Sequence, residues 1–193
     1  MESCAVSQRA IDKNLIEACQ RGDREAFRDL FEAYQDRVYS IALHYSGEVS
    51  AARDITQQVF LKLFSCITQF RQDSEFTTWL YRLVANTCLD EKRRTKRLVS
   101  IEEDGVIGYR SKESIEDDFS RHEMSGSVQA AIRELSPKLR LPILLKYVEG
   151  LSYDEIALVL NCSQGTVASR LNRGHKALAE RLAHLRSAIR ERL

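Results

Sequence analysis

The sequence predicts an all-α protein made of two small helical domains joined by a flexible acidic linker. Apolar residues recur at three- and four-residue intervals along much of the 193 residues, and no stretch sustains the alternation typical of a β-strand. Only two prolines and eight glycines are present, which favours helices over a turn-rich β fold. The helical periodicity is lost between residues 98 and 126, so we expect domains over 12–97 and 127–193.

The first domain is expected to contain four helices after a loose tail of about ten residues. Asp23 is a good N-cap, while Gly22 and Gly47 end the helices that precede them. The polar segment 70–76 is expected to be a loop. The four helices are expected at about residues 12–21, 23–46, 49–67 and 74–94.

Two of these helices carry long apolar stripes at three- and four-residue spacing. In the second helix the stripe is Phe27, Leu30, Phe31, Tyr34, Val38, Ile41 and Ala42. In the third helix the stripe is Ala52, Ile55, Val59, Phe60, Leu63 and Phe64.

The segment 98–126 differs from its flanks in composition. Residues 98–124 hold eight acidic and three basic side chains, and their hydrophobic residues lack a sustained helical period. We interpret this segment as a flexible acidic linker that contains at most short helical pieces.

The second domain is expected to have four helices, of which the last two form a helix-turn-helix. Helical periodicity resumes at Val128, and Ser136 can cap a further helix. Ser152 and Glu155 have the spacing of a capping box, and Ser163 can cap the helix that follows. A helix-turn-helix places its second helix in the DNA major groove, although an ordinary antiparallel helix pair remains an alternative.

A second polar face lies on the fourth helix. Trp79, Arg82, Asn86, Asp90 and Arg93 are spaced by three or four residues, which places them on one side. An aromatic residue among basic ones suits single-stranded nucleic acid, because bases stack while cations hold phosphates. Alternatively, Trp79 is a core residue and the basic run over 92–97 is a solvated helix end.

Composition excludes several other classes of function. The five cysteines and four histidines are scattered without metal-ligand spacing, so no metal site, cofactor or disulfide framework is predicted. No signal peptide or apolar span of about 18 to 20 residues is evident, so a cytoplasmic protein is expected. No nucleophile–base pair or phosphate-binding loop points to an enzyme.

Four segments in order resemble the bacterial RNA polymerase sigma factors of the extracytoplasmic-function group. They are GDREAFRDLFEAY, DITQQVFLKLF, FTTWLYRLVANTCLD and LSYDEIALVLNCSQGTVASRLNRGHKAL. The resemblance extends from about Leu15 to Leu185. It implies an N-terminal domain that binds polymerase and the minus-ten element, and a C-terminal domain that binds the minus-thirty-five element.

The resemblance also implies residue roles. Contacts to the β′ subunit of core polymerase are carried over to Asp54, Gln57, Gln58, Phe60 and Phe64. Contacts to minus-ten DNA are carried over to Arg71, Asp73, Ser74, Phe76, Trp79, Arg82, Asn86, Arg93 and Arg94. Contacts to minus-thirty-five DNA are carried over to Thr166, Ser169, Arg170, Asn172 and Arg173.

Some positions depart from the family pattern. Gln58 stands where many relatives have Glu, and Ala168 replaces a common Arg or Lys. The expected partners are core RNA polymerase (β′ and β subunits), promoter DNA and an anti-sigma factor. An autonomous dimeric helix-turn-helix regulator is the main alternative, and a helical adaptor without a DNA role is a third.

Overall fold

The computed structural model describes the backbone of residues 13–102 and 119–183, and the side chains of residues 13–91 and 126–183. All its elements are helical within these ranges, as the sequence predicts. Helices α1 to α4 span Lys13–Gln20, Arg24–Ser46, Val49–Cys66 and Phe76–Glu102. Helices α5 to α8 span Phe119–Glu134, Pro137–Tyr147, Tyr153–Val159 and Gln164–Arg181, and a 3₁₀ turn at Ile67–Gln69 follows α3.

The caps that bound α2 are those expected from the sequence. The Asp23 carboxylate accepts hydrogen bonds from the backbone N–H groups of Glu25 at 2.9 Å and Ala26 at 3.2 Å. Gly47 ends the helix with φ of 76°, a left-handed conformation that a residue without Cβ adopts at little cost. These two residues therefore determine where α2 begins and where the chain turns into α3.

Both ends of the expected linker contain helix. α4 continues past Arg94 to Glu102, and α5 begins at Phe119, before the apolar period resumes at Val128. Lys, Arg, Leu and Glu are good helix formers, so a helix can continue through residues 92–102 without an apolar stripe. The rest of the linker, residues 103–118, lies outside the described residues, as do the expected N-terminal tail and residues 184–193.

The first four helices enclose one core between α2, α3 and α4. Its fully buried members include Leu30, Val38, Ile41, Ile55, Val59, Leu63, Leu80 and Val84. Three phenylalanines of the two apolar stripes lie outside this core. Phe27 is only half-buried, and Phe31 and Phe64 are exposed. The stripes are wider than the core they face, because α4 covers only one side of the α2–α3 pair.

The second core lies between α6, α7 and α8. Its buried side chains include Leu141, Ile143, Leu144, Leu145, Ile156, Val159, Val167 and Leu171. Gly174 allows α8 to approach α6 closely, since a Cβ there would lie 3.1 Å from Cγ1 of Ile143. Helix α8 is therefore held at a short distance from α6.

The two helical domains pack against each other. Helix α2 contacts α5 and α6, and α4 contacts α7 of the helix-turn-helix. The sequence patterns did not predict this docking, which joins buried hydrophobic residues of both domains into one continuous cluster.

Candidate nucleic-acid and protein interfaces

An open apolar groove runs between α2 and α3. Its walls are built from two aromatic pairs in edge-to-face contact: Phe27 with Phe64 at 5.0 Å, and Phe31 with Phe60 at 4.6 Å between ring centroids. Leu61 and Phe64 are 61% and 62% exposed, although they are large apolar side chains. The groove has a volume of about 500 Å³. A contiguous exposed apolar surface of this kind is typical of a protein interaction site.

Polar side chains border this groove on α3. Arg53 and Gln57 are exposed and line it, Asp54 is exposed beside them, and Gln58 is half-buried. Phe60 is only 6% exposed, so its ring supports the groove floor while Leu61 and Phe64 are free to contact a partner. An apolar groove with a polar rim suits an amphipathic helix of a partner protein.

The loop before α4 is held by hydrogen bonds at its start and is exposed to solvent at its middle. The Gln20 amide of α1 donates hydrogen bonds to the carbonyl oxygens of Ile67 at 3.0 Å and Phe70 at 2.8 Å. Arg71 and Asp73 are exposed beyond this anchor, and Ser74 is half-buried. The loop therefore presents its polar groups to solvent from a fixed base.

An aromatic cluster joins this loop to α4. The half-buried Trp79 ring lies 5.3 Å from Phe70 and 5.9 Å from Phe76 between centroids. Phe76 is only 7% exposed and also packs against Tyr34 at 5.7 Å. The Phe76 ring is therefore a core residue that packs beside the half-buried Trp79, and the contact of Phe76 with minus-ten DNA remains a prediction.

The polar face of α4 is partly engaged within the chain. Nε of Arg82 donates a hydrogen bond to the carbonyl oxygen of Leu158 in α7 at 2.8 Å. Asn86 is exposed one turn further on, and Asp90 pairs with Lys62 at 3.2 Å. Arg93 and Arg94 lie on α4, but their side chains are outside the described residues.

The helix-turn-helix has the caps that its sequence predicts. The Ser152 hydroxyl accepts from the Glu155 N–H at 3.2 Å, and the Glu155 carboxylate accepts from the Ser152 N–H at 2.7 Å. These hydrogen bonds hold the pKa of Glu155 below its usual value. Asn161 takes the left-handed conformation in the turn, with φ of 46°. Ser163 then caps α8 by accepting from the Thr166 N–H at 3.2 Å.

Helix α8 presents a polar face beside its buried one. Ser169, Asn172 and Arg173 are exposed, while Arg170 is half-buried and its Nη1 lies 3.7 Å from Sγ of Cys162. Thr166 is half-buried at the start of the helix, and its hydroxyl forms a hydrogen bond with the Ser163 hydroxyl at 2.9 Å. The five predicted side chains thus lie on one helix with three of them free for base or phosphate contact.

Comparison with known proteins identifies the family. Residues 30–98 match the sigma-70 region 2 family and residues 125–178 match the sigma-70 region 4 family. The chain is 34% identical to the ECF RNA polymerase sigma factor SigW of Bacillus subtilis, over 90% of this chain and 97% of that protein. It is also 34% identical to the ECF RNA polymerase sigma-E factor of Escherichia coli, over 93% of this chain and 98% of that protein. The chain belongs to the extracytoplasmic-function sigma factors.

The fold agrees with two solved structures. The structure of CnrH in complex with the cytosolic domain of CnrY has a TM-score of 0.68, covering 90% of this chain and 97% of that chain at 22% identity. The structure of the sigma factor RpoE in complex with the anti-sigma factor NepR, from Bartonella quintana, has a TM-score of 0.64. The match covers 81% of this chain and 96% of that chain at 22% identity.

The function is that of an ECF sigma factor, a transcription initiation factor that binds core RNA polymerase and directs promoter recognition and melting. The alternative of an autonomous dimeric regulator is not favoured. Within the described residues, no group of three or more His, Cys, Asp or Glu side chains could hold a metal ion, and no helix could cross a membrane.

Sequence reasoning named only three of the nine residues that line the groove in this sigma factor. Phe27 and Phe31 on α2, and Arg53 and Leu61 on α3, line it but were absent from the predicted site. A usable signal was present, since Phe27 and Phe31 lie on α2 beside the narrower stripe of Leu30, Tyr34 and Val38. A stripe wider than one neighbouring helix can cover predicts an external partner.

Proposed function

We propose that this sigma factor binds the β′ subunit of core RNA polymerase through the groove between α2 and α3. The observation that carries the proposal is the exposure of Leu61 and Phe64 beside the polar Asp54 and Gln57. Exposed leucine and phenylalanine side chains gain free energy when a partner helix removes them from water. The neutral Gln58 then contributes hydrogen bonds to this interface rather than the ion pair that a Glu would make.

The minus-ten element is bound by the loop over 71–74 and by the face of α4. Trp79 offers a half-buried ring, Asn86 offers an exposed amide, and Arg71 offers an exposed cation in the anchored loop. A flipped base requires stacking together with hydrogen bonds to its polar edge, and these groups provide both. The domain responsible spans residues 12–97.

The minus-thirty-five element is bound by α8 in the domain over residues 127–193, which also contacts the β subunit. Ser169, Asn172 and Arg173 are the exposed side chains best placed to contact base edges or phosphates in the major groove. Ala168 supplies no phosphate contact where many relatives have a cation. The intervening segment, residues 98–126, links the two domains.

An anti-sigma factor is a further expected partner of this cytoplasmic, non-enzymatic protein. Support comes from two proteins of the same fold, RpoE and CnrH, whose structures were solved with the anti-sigma factor NepR and with the cytosolic domain of CnrY.

Reconstitution with core polymerase tests the proposal. The wild-type chain should co-elute with core polymerase in gel filtration and support run-off transcription from a cognate promoter. Leu61→Asp should abolish co-elution, because it places a charge in the apolar groove. Ser65→Ala changes an exposed neighbour on the same helix and should behave as wild type. Retention of core binding by Leu61→Asp would refute the groove as the docking site.

A further inference from the structure

Helix α3 carries a lysine that bonds to the polar face of α4. Nζ of Lys62 lies 3.3 Å from Oγ1 of Thr87 and 3.2 Å from Oδ2 of Asp90, and it donates a hydrogen bond to each. The Thr87 hydroxyl is buried and donates its own proton to the Leu83 carbonyl oxygen at 2.8 Å. Its lone pairs are left to accept from Lys62, so the ammonium group is held at a defined place beside Asp90.

Asp90 is the acidic residue among the five that the sequence places on this face. It lies four residues after Asn86, and side chains at this spacing on a helix are neighbours, with about 5 to 6 Å between their Cβ atoms. Under the proposed function, Asn86 contacts the opened minus-ten strand, whose nucleotides each carry a negative phosphate. A carboxylate at this distance from the strand opposes binding unless its charge is compensated.

Folding stability does not account for the ion pair between Lys62 and Asp90. Their side chains are 43% and 54% exposed. Ion pairs at such exposure contribute little to folding, because water and salt screen both charges. For a phosphate that approaches this surface, in contrast, the two contacting charges nearly cancel, whereas the carboxylate by itself would repel it.

The ammonium group of Lys62 contacts α4 and does not line the groove between α2 and α3. Its neighbours Leu61 and Phe64 on α3 line that groove, whereas Lys62 is absent from the lining. Removing the charge of Lys62 should therefore leave the proposed docking surface for polymerase intact. Promoter binding and polymerase binding can then be measured as separate consequences of one substitution.

We propose that Lys62 is a charge-masking residue of the minus-ten face, where its ammonium group neutralises Asp90 so that the promoter strand can approach Asn86. This role rests on the proposed function, in which this face of α4 binds the minus-ten element. A direct contact between Lys62 and a promoter phosphate is the competing explanation. It predicts a different response when Asp90 is changed as well.

The test measures promoter binding by holoenzymes reconstituted from the full-length chain and core polymerase. Lys62→Met removes the ammonium group and keeps an unbranched side chain, and Asp90→Asn removes the carboxylate charge with little change in shape. Lys62→Met should weaken binding of duplex promoter by about five- to tenfold, because the Asp90 carboxylate then meets phosphate without its counter-charge. Asp90→Asn should bind at least as tightly as the wild type.

The double variant distinguishes masking from direct contact. Combining Lys62→Met with Asp90→Asn should restore binding to within about twofold of Asp90→Asn, because no charge is left to be masked. If the double variant stays as weak as Lys62→Met, Lys62 acts through its own phosphate contact and masking is overturned. An equal loss in the two single variants would also overturn masking, since the pair would then act by holding the helices together.

Further measurements confine the effect to the promoter step. Lys13→Met removes one positive charge from a lysine that pairs with Glu17 at 4.0 Å within α1, and it should bind promoter as the wild type does. Affinity for core polymerase and the midpoint of thermal unfolding should be unchanged in every variant. If Lys62→Met does not fold, Lys62→Gln takes its place with the same outcomes.

An Asn86→Ala holoenzyme separates this role from the proposed function. A defect in Asn86→Ala together with normal promoter binding by Lys62→Met would overturn masking alone. Normal promoter binding and opening by both variants would overturn the assignment of this face of α4 to the minus-ten element, and masking with it.

Discussion

Replacing Phe64 by Ala should weaken binding to core polymerase far more than it destabilises the sigma factor. Phe64 is 62% exposed on α3. A phenylalanine side chain has about 200 Å² of surface, so about 125 Å² is available for a partner to cover. At about 25 cal/mol per Å², complete coverage is worth about 3 kcal/mol. Ala keeps part of this contact, so we expect a loss of about 2 to 3 kcal/mol, or about 30- to 150-fold in Kd.

The cost to the fold should be smaller. Within the chain, Phe64 makes an edge-to-face contact with Phe27, and such a pair contributes about 0.5 to 1.5 kcal/mol. Titration of fluorescently labelled chain with core polymerase gives Kd, and thermal unfolding of the same samples gives stability. Ser65→Ala should change Kd less than about twofold, since an exposed hydroxyl outside the groove loses little. A Kd for Phe64→Ala within threefold of wild type, at unchanged Tm, would refute the argument.

Four further changes test α8, α4 and the cap of α7. Arg173→Ala, which removes an exposed cation, should weaken minus-thirty-five binding by about 1 to 3 kcal/mol if it contacts a base, measured by promoter titration at several salt concentrations. Arg170→Ala should behave similarly, and unchanged binding by both variants at every salt concentration would contradict the recognition role of α8. Asn86→Ala should leave core affinity intact but reduce open-complex formation by about 1 to 3 kcal/mol, with partial recovery on a pre-melted template. Permanganate reactivity of thymines would measure this, and normal opening of duplex promoter would exclude the role. The depressed pKa of Glu155 implies capping stability that is present above its ordinary pKa of 4.5 and lost as pH falls through the folded value. Glu155→Gln should flatten this part of the Tm–pH profile, and an unchanged slope would show that the carboxylate does not contribute.

Local features of the fold could be predicted because their causes are local in sequence. Asp23 and Ser163 cap their helices through N–H groups within three residues, and Gly47 turns the chain where a left-handed residue is needed. The helix-turn-helix was predictable for the same reason, since the Ser152–Glu155 capping box and the turn at Asn161 involve only neighbouring residues. The end of α4 was missed because helix-forming residues can propagate a helix where no apolar stripe marks it.

The sequence by itself determined the all-α class, the domain pattern and the family, because periodicity, caps and ordered motifs are properties of the chain. Only the tertiary structure decided which apolar residues become core. Phe76 and Phe64 are equally hydrophobic. Packing of α4 against the rest of the domain buries Phe76, whereas Phe64 on α3 remains 62% exposed. Only the tertiary structure also brought Arg82 to Leu158 and Arg140 to Tyr45, pairs separated by 76 and 95 residues. Such contacts depend on where two domains meet, and a single polar side chain leaves no period in the sequence from which that meeting could be predicted.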